Sequence, residues 1–335
     1  MASLLLASVR SKISKEKEQK TTRDTQTLGS ANDPVSAPRG EVGKDTQQAN
    51  QANKTTTAST NGNSNDSQGV DLYGFLRDKD YLLTEKKYHQ LEAKNTNIRD
   101  LQWFGYLKSI GGAENLKRAG IFEPSNDLKQ LVRRGIPTAY RALVWSRISL
   151  SSVHRAAYSS DYYTTLVSRI NEIPRSVAIE IEKDVDRTFP EHEYFGMEIG
   201  IDCLRRVLLA FALHSKDIGY CQSLNFIVGM MLLFMEEEDA FWLLVTIIEK
   251  LLPLDYYTKS MVGTYTDQLV LMNLIKTHLP KVHKKLLEAA APSMPNDTAA
   301  AINDDLETNP ITASVTVQWF LCLFVNTLRP EVCLR

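Results

Sequence analysis

The segment from Leu224 to Met235 constrains the fold of this chain most, because almost every residue in it is apolar. A helix that is apolar on all sides has to be buried on all sides, so this segment predicts a central core helix. Its longest uninterrupted apolar part, Phe226 to Met235, is too short to cross a membrane, which takes about 20 residues. We therefore expect further helices to pack around this one, and we expect no transmembrane segment.

Amphipathic helices are predicted on both sides of this segment, because apolar residues recur there at spacings of three and four. The predicted stripes are Trp103, Tyr106 and Leu107, then Val177, Ile181 and Val185, and then Leu204, Val207, Leu208 and Phe211. We further expect a helix from Ala240 to Leu252, a loop over residues 289–309, and a last buried helix beginning at Trp319 to Val325. No run of alternating apolar and polar residues predicts strands, so the predicted fold class is all-α.

Residues 9–70 almost entirely lack large apolar side chains and are rich in Ser, Thr, Asn, Gln and Lys. A segment of this composition cannot bury enough surface to offset the entropy lost on ordering, which predicts disorder. Order is expected to begin at Asp71. We accordingly divide the chain into a disordered low-complexity region at 1–70, a helical lead-in at 71–130 and a main domain at 131–335.

Composition and motif content argue against several classes of function. Lysines and arginines number 39 against 40 aspartates and glutamates, so charge favours neither nucleic acid nor an anionic membrane surface. The four cysteines have no C-x-x-C spacing and the six histidines are scattered, which predicts reduced thiols, an intracellular protein and no metal site. The chain has no P-loop sequence, so we do not expect it to bind a nucleotide itself. His192, in Glu191-His192-Glu193, is interpreted as a solvated loop residue.

Arg187 lies three residues after Asp184, near the end of the helix predicted after Pro174. One interpretation is a surface ion pair, which stabilises a helix by a few tenths of a kcal/mol, about 0.2–0.5. The other is that Asp184 holds the guanidinium in place while Thr188 and Phe189 fix the exit from the helix, because arginine stays charged and offers a planar fork of donors to phosphate oxygens. The pattern leaves both open.

Gln222 follows Gly219-Tyr220-Cys221 and comes just before the apolar central helix. Its amide can satisfy free backbone groups at the helix start. Alternatively, the rigid helix can present that amide to a water molecule. An arginine and a glutamine together are what a slow GTPase lacks, since one neutralises charge on the transferring phosphoryl group and the other orients the attacking water.

Three motifs, in this order, resemble the TBC domain of Rab GTPase-activating proteins over roughly residues 130–335. The first, R-x-G-I-P-x-x-x-R-x-x-V-W, is matched by Arg133, Gly135, Ile136, Pro137, Arg141, Val144 and Trp145. The second, I-x-x-D-x-x-R-T, is matched by Ile181, Asp184, Arg187 and Thr188. The third, Y-C-Q-G, is matched by Tyr220, Cys221 and Gln222. The segments Glu237 to Trp242 and Pro253 to Thr258, with Asp71 to Phe75 upstream, look most like the subgroup that carries a pleckstrin-homology domain and a coiled coil ahead of the TBC domain.

The resemblance implies an all-helical TBC domain that docks on a GTP-bound Rab and contributes catalytic residues in trans, without being an enzyme alone. Arg187 would be the arginine finger and Gln222 the glutamine finger. The implied supporting residues are Asp184, Thr188, Tyr220, Arg133, Arg141 and Trp145. GTP and magnesium would belong to the Rab, and the chain would need no cofactor of its own. The implied setting is vesicle trafficking, with a cytoplasmic protein recruited peripherally to endosomal membranes.

The sequence departs from the family pattern in two places. The glycine of the third motif is Ser223 here. If the backbone there has a positive φ, serine costs on the order of 1 kcal/mol, whereas at a helix N-cap serine is as good as glycine. In addition, the family pattern continues past Arg335, so we expect an incomplete domain end and exposed apolar surface around Trp319 to Phe324.

Two other hypotheses remain beside the activator. The chain could be a catalytically weak TBC-fold scaffold that binds a Rab without accelerating hydrolysis, as the departure at Ser223 would favour. It could also be a helical structural protein with no Rab contact.

Overall fold

The computed structural model describes residues 69–117, 124–290 and 310–334. The α-helices are α1 (Lys79–Ser109), α2 (Asn126–Arg133), α3 (Arg141–Ser149), α4 (Ser151–Arg155), α5 (Tyr162–Ser168), α6 (Arg175–Val185), α7 (Glu198–His214), α8 (Leu224–Leu232), α9 (Glu237–Thr246), α10 (Val262–His278), α11 (Pro280–Ala290), α12 (Pro310–Leu321) and α13 (Pro330–Cys333). Short 3₁₀ helices lie at Ala113–Lys117, Thr138–Tyr140 and Ile170–Glu172, and a π-helix at Ile247–Leu251. The strands β1 (Gly69–Val70) and β2 (Leu76–Arg77) pair antiparallel. The prediction of an all-α fold is confirmed.

Helices α7, α8 and α9 form the centre of the main core. Leu224, Val228 and Leu232 of α8 are at most 1% exposed, as the apolar composition of this segment requires. The stripe predicted on α7 and the aromatic pair Phe241 and Trp242 of α9 are likewise buried. The central-helix prediction is therefore confirmed, although α8 ends at Leu232, three residues before Met235.

A second, smaller core joins the lead-in helix to the start of the main domain. Trp103 and Leu107 of α1 pack with Leu128 of α2 and Val144 of α3. The Trp103 indole N–H donates to the carbonyl of Gly135, at 2.9 Å. The helix face predicted from Trp103, Tyr106 and Leu107 is thus the face that packs.

The short hairpin at the start of the described chain is anchored in the main core. The Asp71 carboxylate accepts hydrogen bonds from the backbone N–H groups of Tyr73 and Phe75, both at 2.9 Å. Phe75 is 3% exposed, and its ring lies edge-on to those of Phe189 and His192. These contacts pack the hairpin against the loop that follows Arg187.

The interpretation of His192 as a solvated loop residue is wrong. The side chain is buried, and its Nδ1 accepts from the Tyr194 N–H at 3.0 Å. The other nitrogen, Nε2, therefore carries the proton and donates to the Tyr73 carbonyl at 2.9 Å. Burial lowers the pKa of His192. The two flanking glutamates suggested exposure, but the hairpin that covers His192 lies more than a hundred residues away in the chain.

The last predicted helix is also misplaced. Helix α12 runs over Pro310–Leu321 and stops in the segment where we expected a helix to begin. Leu323 and Phe324 have left-handed φ values of 49° and 63°, which end the helix. The expected exposed apolar surface is absent at these described residues: Leu321 and Cys322 are buried, and Trp319, Phe320, Leu323 and Phe324 are half-buried. Phe320, Leu321 and Leu323 pack in the main core, where the Tyr257 hydroxyl donates to the Leu321 carbonyl at 2.9 Å.

The remaining predictions either agree with the structure after small changes in their bounds or fall mostly outside the described residues. The helix predicted from Ala240 is α9, which continues as the π-helix. Residues 1–68 of the region predicted to be disordered lie outside the described residues, whereas Gly69 and Val70 form β1. Most of the loop predicted at 289–309 also lies outside them. None of the described helices combines the length and the apolar character that a membrane span needs.

Candidate functional site

The Asp184 carboxylate organises the segment that carries Arg187. Ile181 and Val185 of α6 are fully buried, which turns Asp184, in the last helical turn, toward the interior. Its side chain is 6% exposed, whereas that of Arg187 is 52% exposed. The two are joined at 2.5 Å, from Nη2 of the arginine to Oδ1 of the aspartate. The result is an arginine with one terminal nitrogen held by a buried carboxylate and a side chain that is about half exposed.

Tyr220 holds the second oxygen of the same carboxylate. Its hydroxyl donates to Asp184 Oδ2 at 2.6 Å. Burial and the adjacent carboxylate raise the pKa of Tyr220, so the hydroxyl keeps its proton and remains a donor. One aspartate thus connects the end of α6 with the turn that leads into α8.

The Gln222 side chain lies on the surface, and the chain is held in place on both sides of it. The residue is exposed and occupies a turn immediately before α8. Tyr220 on one side is bonded to Asp184, and Ser223 on the other side is fully buried. The side chain is therefore free to reach outward from a backbone that is fixed at both ends.

Ser223 has both features that the sequence left open, a positive φ and a position at the start of a helix. It is the residue just before α8, and its φ is 115°, in the region that favours glycine. Its hydroxyl does not cap the helix and is buried beside the Cys322 thiol. The serine therefore carries the backbone strain of a missing glycine, on the order of 1 kcal/mol, with no capping gain.

Thr188 and Asn225 form a buried bridge between the two segments. The Thr188 hydroxyl donates to the Asp184 carbonyl at 2.6 Å. The Asn225 amide nitrogen donates to Thr188 Oγ1 at 2.8 Å, and its oxygen accepts from the Ser223 N–H at 3.1 Å. Thr188 was among the residues singled out from the sequence, but Asn225 was not. The available signal was a single amide in an otherwise apolar helix.

Arg133, Arg141 and Trp145 lie apart from this cluster, around helix α3. Arg133 is exposed in the last turn of α2. Arg141 is 5% exposed, and its guanidinium stacks over the rings of Tyr73 and Phe234. The Trp145 ring packs against the same Phe234 ring. The first motif is thus built into the packing of the domain, and the second and third motifs meet at Asp184.

A groove of about 450 Å³ opens beside Arg187. It is bounded by the aromatic rings of Phe75, Phe189 and Phe226 and by two further arginines, Arg77 and Arg329. Glu191, Asn326 and Thr327 also line it, and a lining of mixed character suits a protein surface that presents both apolar and charged groups.

Among the described residues, one group has the composition and spacing to hold a metal ion. Glu85 and His89, one turn apart on α1, come together with Glu331 of α13, with ligand atoms within 4.8 Å of one another. All three are half-buried, and they belong to the contact between these two helices. The Glu85–His89 spacing was overlooked in the sequence. The expectation that the chain needs no metal of its own stays a prediction.

Comparison with known proteins finds relatives over most of the chain. A family model described as the Rab-GTPase-TBC domain matches residues 138–335. TBC1 domain family member 2B of Mus musculus is 32% identical over 279 residues, which are 79% of this chain and 26% of the mouse protein. TBC1 domain family member 2A of Rattus norvegicus is 33% identical over 292 residues, 82% of this chain and 28% of the rat protein. The chain spans about a quarter of the length of these curated relatives.

A solved structure extends the similarity to the fold. The crystal structure of the Chlamydomonas flagellar RabGAP TBC domain superimposes with a TM-score of 0.59 at 27% identity. The superposition covers 79% of this chain and 77% of the Chlamydomonas chain.

Proposed function

Because the chain belongs to the Rab-GTPase-TBC domain family, we propose that it activates a GTP-bound Rab by inserting Arg187 and Gln222 into the Rab active site. The observation that carries the proposal is the shared anchoring of both segments by Asp184. One carboxylate oxygen binds Arg187 and the other binds Tyr220, two residues before Gln222. A domain that positions an arginine and a glutamine together matches what incomplete GTPase machinery lacks.

In this mechanism Arg187 stabilises negative charge on the transferring phosphoryl group. Its guanidinium is about half exposed and fixed at one nitrogen by Asp184, so the remaining donors can bind phosphate oxygens. An arginine finger supplied in trans is worth about 10³–10⁵ in rate. At about 1.36 kcal/mol per tenfold change, this corresponds to roughly 4–7 kcal/mol of the barrier.

Gln222 orients the attacking water. Its amide has both a donor and an acceptor, so it can donate one hydrogen bond to a water molecule and accept another from it. Exposure of the side chain and fixation of its neighbours support this role. GTP and magnesium stay with the Rab, so the chain contributes side chains and no cofactor.

We also propose the setting that the subgroup resemblance implies and the domain limits that the sequence suggests. The chain would act in vesicle trafficking, on the cytoplasmic side of endosomal membranes, with peripheral recruitment to them. The lead-in at 71–130 and the TBC domain at 131–335 would then act as the Rab-binding body.

A second candidate is a Rab-binding scaffold that accelerates hydrolysis weakly. The observation in its favour is the positive φ of Ser223, next to Gln222. A strained backbone at this point can turn the glutamine away from the water.

The test is single-turnover GTP hydrolysis on a panel of Rab proteins, with the full chain, Arg187→Ala and Gln222→Ala. We expect acceleration by the unaltered chain and a loss of at least about 10³-fold with Arg187→Ala. Arg169→Ala is the matched control, because Arg169 forms an exposed pair with Glu172 at the same spacing and with a similar exposure of 53%. It should keep the full rate.

Binding to the GTP-loaded Rab, measured alongside, separates the two candidates. A Rab that is bound but not accelerated supports the scaffold. A panel without any bound Rab contradicts both.

A further inference from the structure

We propose that Asn225 is the positioning residue that sets the two catalytic segments relative to each other; the inference rests on the proposed function of Arg187 and Gln222. Asn225 is fully buried, in the first turn of α8. It reaches the arginine segment through Thr188 and the glutamine segment through Ser223. Each of these residues is the chain neighbour of a proposed finger.

The hydrogen bonds of this bridge assign donor and acceptor roles without ambiguity. The Thr188 hydroxyl gives its proton to the Asp184 carbonyl, at 2.6 Å, so toward Asn225 it can only accept. The amide nitrogen of Asn225 must therefore be the group that donates to it, at 2.8 Å. This fixes the orientation of the amide and turns its oxygen toward the other segment.

That oxygen accepts one hydrogen bond from the glutamine segment, and it lies near the Tyr220 hydroxyl, whose proton goes to Asp184. The Ser223 N–H donates at 3.1 Å and the Tyr220 hydroxyl lies at 3.3 Å. Asparagine alone among side chains of this size offers both a donor and an acceptor in the required directions. An aspartate has no donor for Thr188, and a leucine has neither group.

Asn225 and Asp184 therefore connect the same two segments at two different points. Asp184 contacts Arg187 and Tyr220, and Asn225 contacts Thr188 and Ser223. Two separated contacts fix the rotation of one segment against the other, which a single contact cannot do. A displacement of about 1 Å at reacting groups can cost about 100-fold in rate.

The predicted effect is a loss of rate without a loss of Rab binding. We expect Asn225→Ala to lower the single-turnover rate constant of Rab GTP hydrolysis by about 10–100-fold. The Kd for the GTP-loaded Rab should stay within about twofold, since Asn225 is buried and cannot touch the partner. Asn273→Ala, an exposed asparagine on α10, is the control and should match the unaltered chain.

A milder pair of variants carries the test if Asn225→Ala fails to fold. Thr188→Val keeps the shape of the side chain but removes the hydroxyl, whereas Thr188→Ser keeps the hydroxyl and removes the methyl group. The proposal expects the rate to fall with valine and to be restored with serine. A destabilised fold would lower binding and the thermal midpoint in step with the rate.

The background of Arg187→Ala with Gln222→Ala separates positioning from other effects. Asn225→Ala should add less than about twofold to the loss in that background, because the groups that it positions are gone. Equal rates for Thr188→Val and the unaltered chain would overturn the inference while the activator proposal stands. If the unaltered chain binds a Rab without accelerating it, the activator proposal fails instead.

Discussion

At the scale of single residues, burial distinguishes ion pairs that look alike from their spacing. Asp184 and Arg187 are three residues apart, and so are Arg169 and Glu172. Both members of the second pair are 53% exposed, as an ordinary surface ion pair is, whereas the Asp184 side chain is 6% exposed. The difference arises from neighbours distant in the chain, above all Tyr220, and local sequence does not reveal them.

Ser223 is the residue at which the chain carries removable strain, and Ser223→Gly should stabilise it. The substitution places glycine at a φ of 115°, and the hydroxyl that it removes does not cap α8. We expect a gain of about 1 kcal/mol, because relief of strain exceeds the added entropy of the unfolded chain. Thermal denaturation should show a midpoint higher by roughly 2–4 °C.

Ser168→Gly is the matched control for this change. Ser168 is exposed at the end of α5, where serine carries no such strain. Glycine should cost up to about 1 kcal/mol there. A loss of stability at both positions would show that the φ of Ser223 costs nothing.

At the scale of helices, the apolar period located the core elements correctly but not all of their ends. The stripes of α6 and α7 are the faces that pack, because burial of one face is what the period encodes. The end of α12 was missed, because Leu323 and Phe324 adopt left-handed backbone without a glycine or proline to announce it. Helix ends set by tertiary contacts leave no local signal.

Gly200 fixes the close approach between α7 and the loop before it. A Cβ at this position would lie 2.1 Å from the carbonyl oxygen of Tyr194, which belongs to the backbone and cannot rotate away. Gly200→Ala should therefore cost about 1–3 kcal/mol in the free energy of unfolding. Urea denaturation monitored by circular dichroism measures this change.

Gly105→Ala gives the opposite sign and serves as the comparison. Gly105 lies within α1, and nothing is within 4 Å of its added Cβ. Alanine there should stabilise the protein by about 0.5–1 kcal/mol. A stabilising effect of alanine at position 200 would contradict the close packing described above.

At the scale of the whole molecule, the hairpin that opens the lead-in is part of the main core, although the sequence period predicted only helical structure there. The family model begins at residue 138, yet Tyr73 and Phe75 are buried in the same core as α7 to α9. His192 contacts this hairpin through a hydrogen bond to the Tyr73 carbonyl, which joins residues 119 positions apart in the chain. Pairings of this length are invisible to a local pattern, which explains why His192 was misjudged and why the hairpin was not foreseen.

The hairpin should accordingly contribute to the stability of the entire domain, and Phe75→Ala tests this. Phe75 is 3% exposed between Phe189 and His192, so removing its ring leaves a cavity that should cost about 3–5 kcal/mol. Phe104→Ala, at 62% exposure on α1, should change stability by less than about 0.5 kcal/mol. Urea denaturation should shift the entire transition with Phe75→Ala, because the ring belongs to the common core. If only a separate minor transition moved, the lead-in would be an independent unit and the activator's body would begin after it.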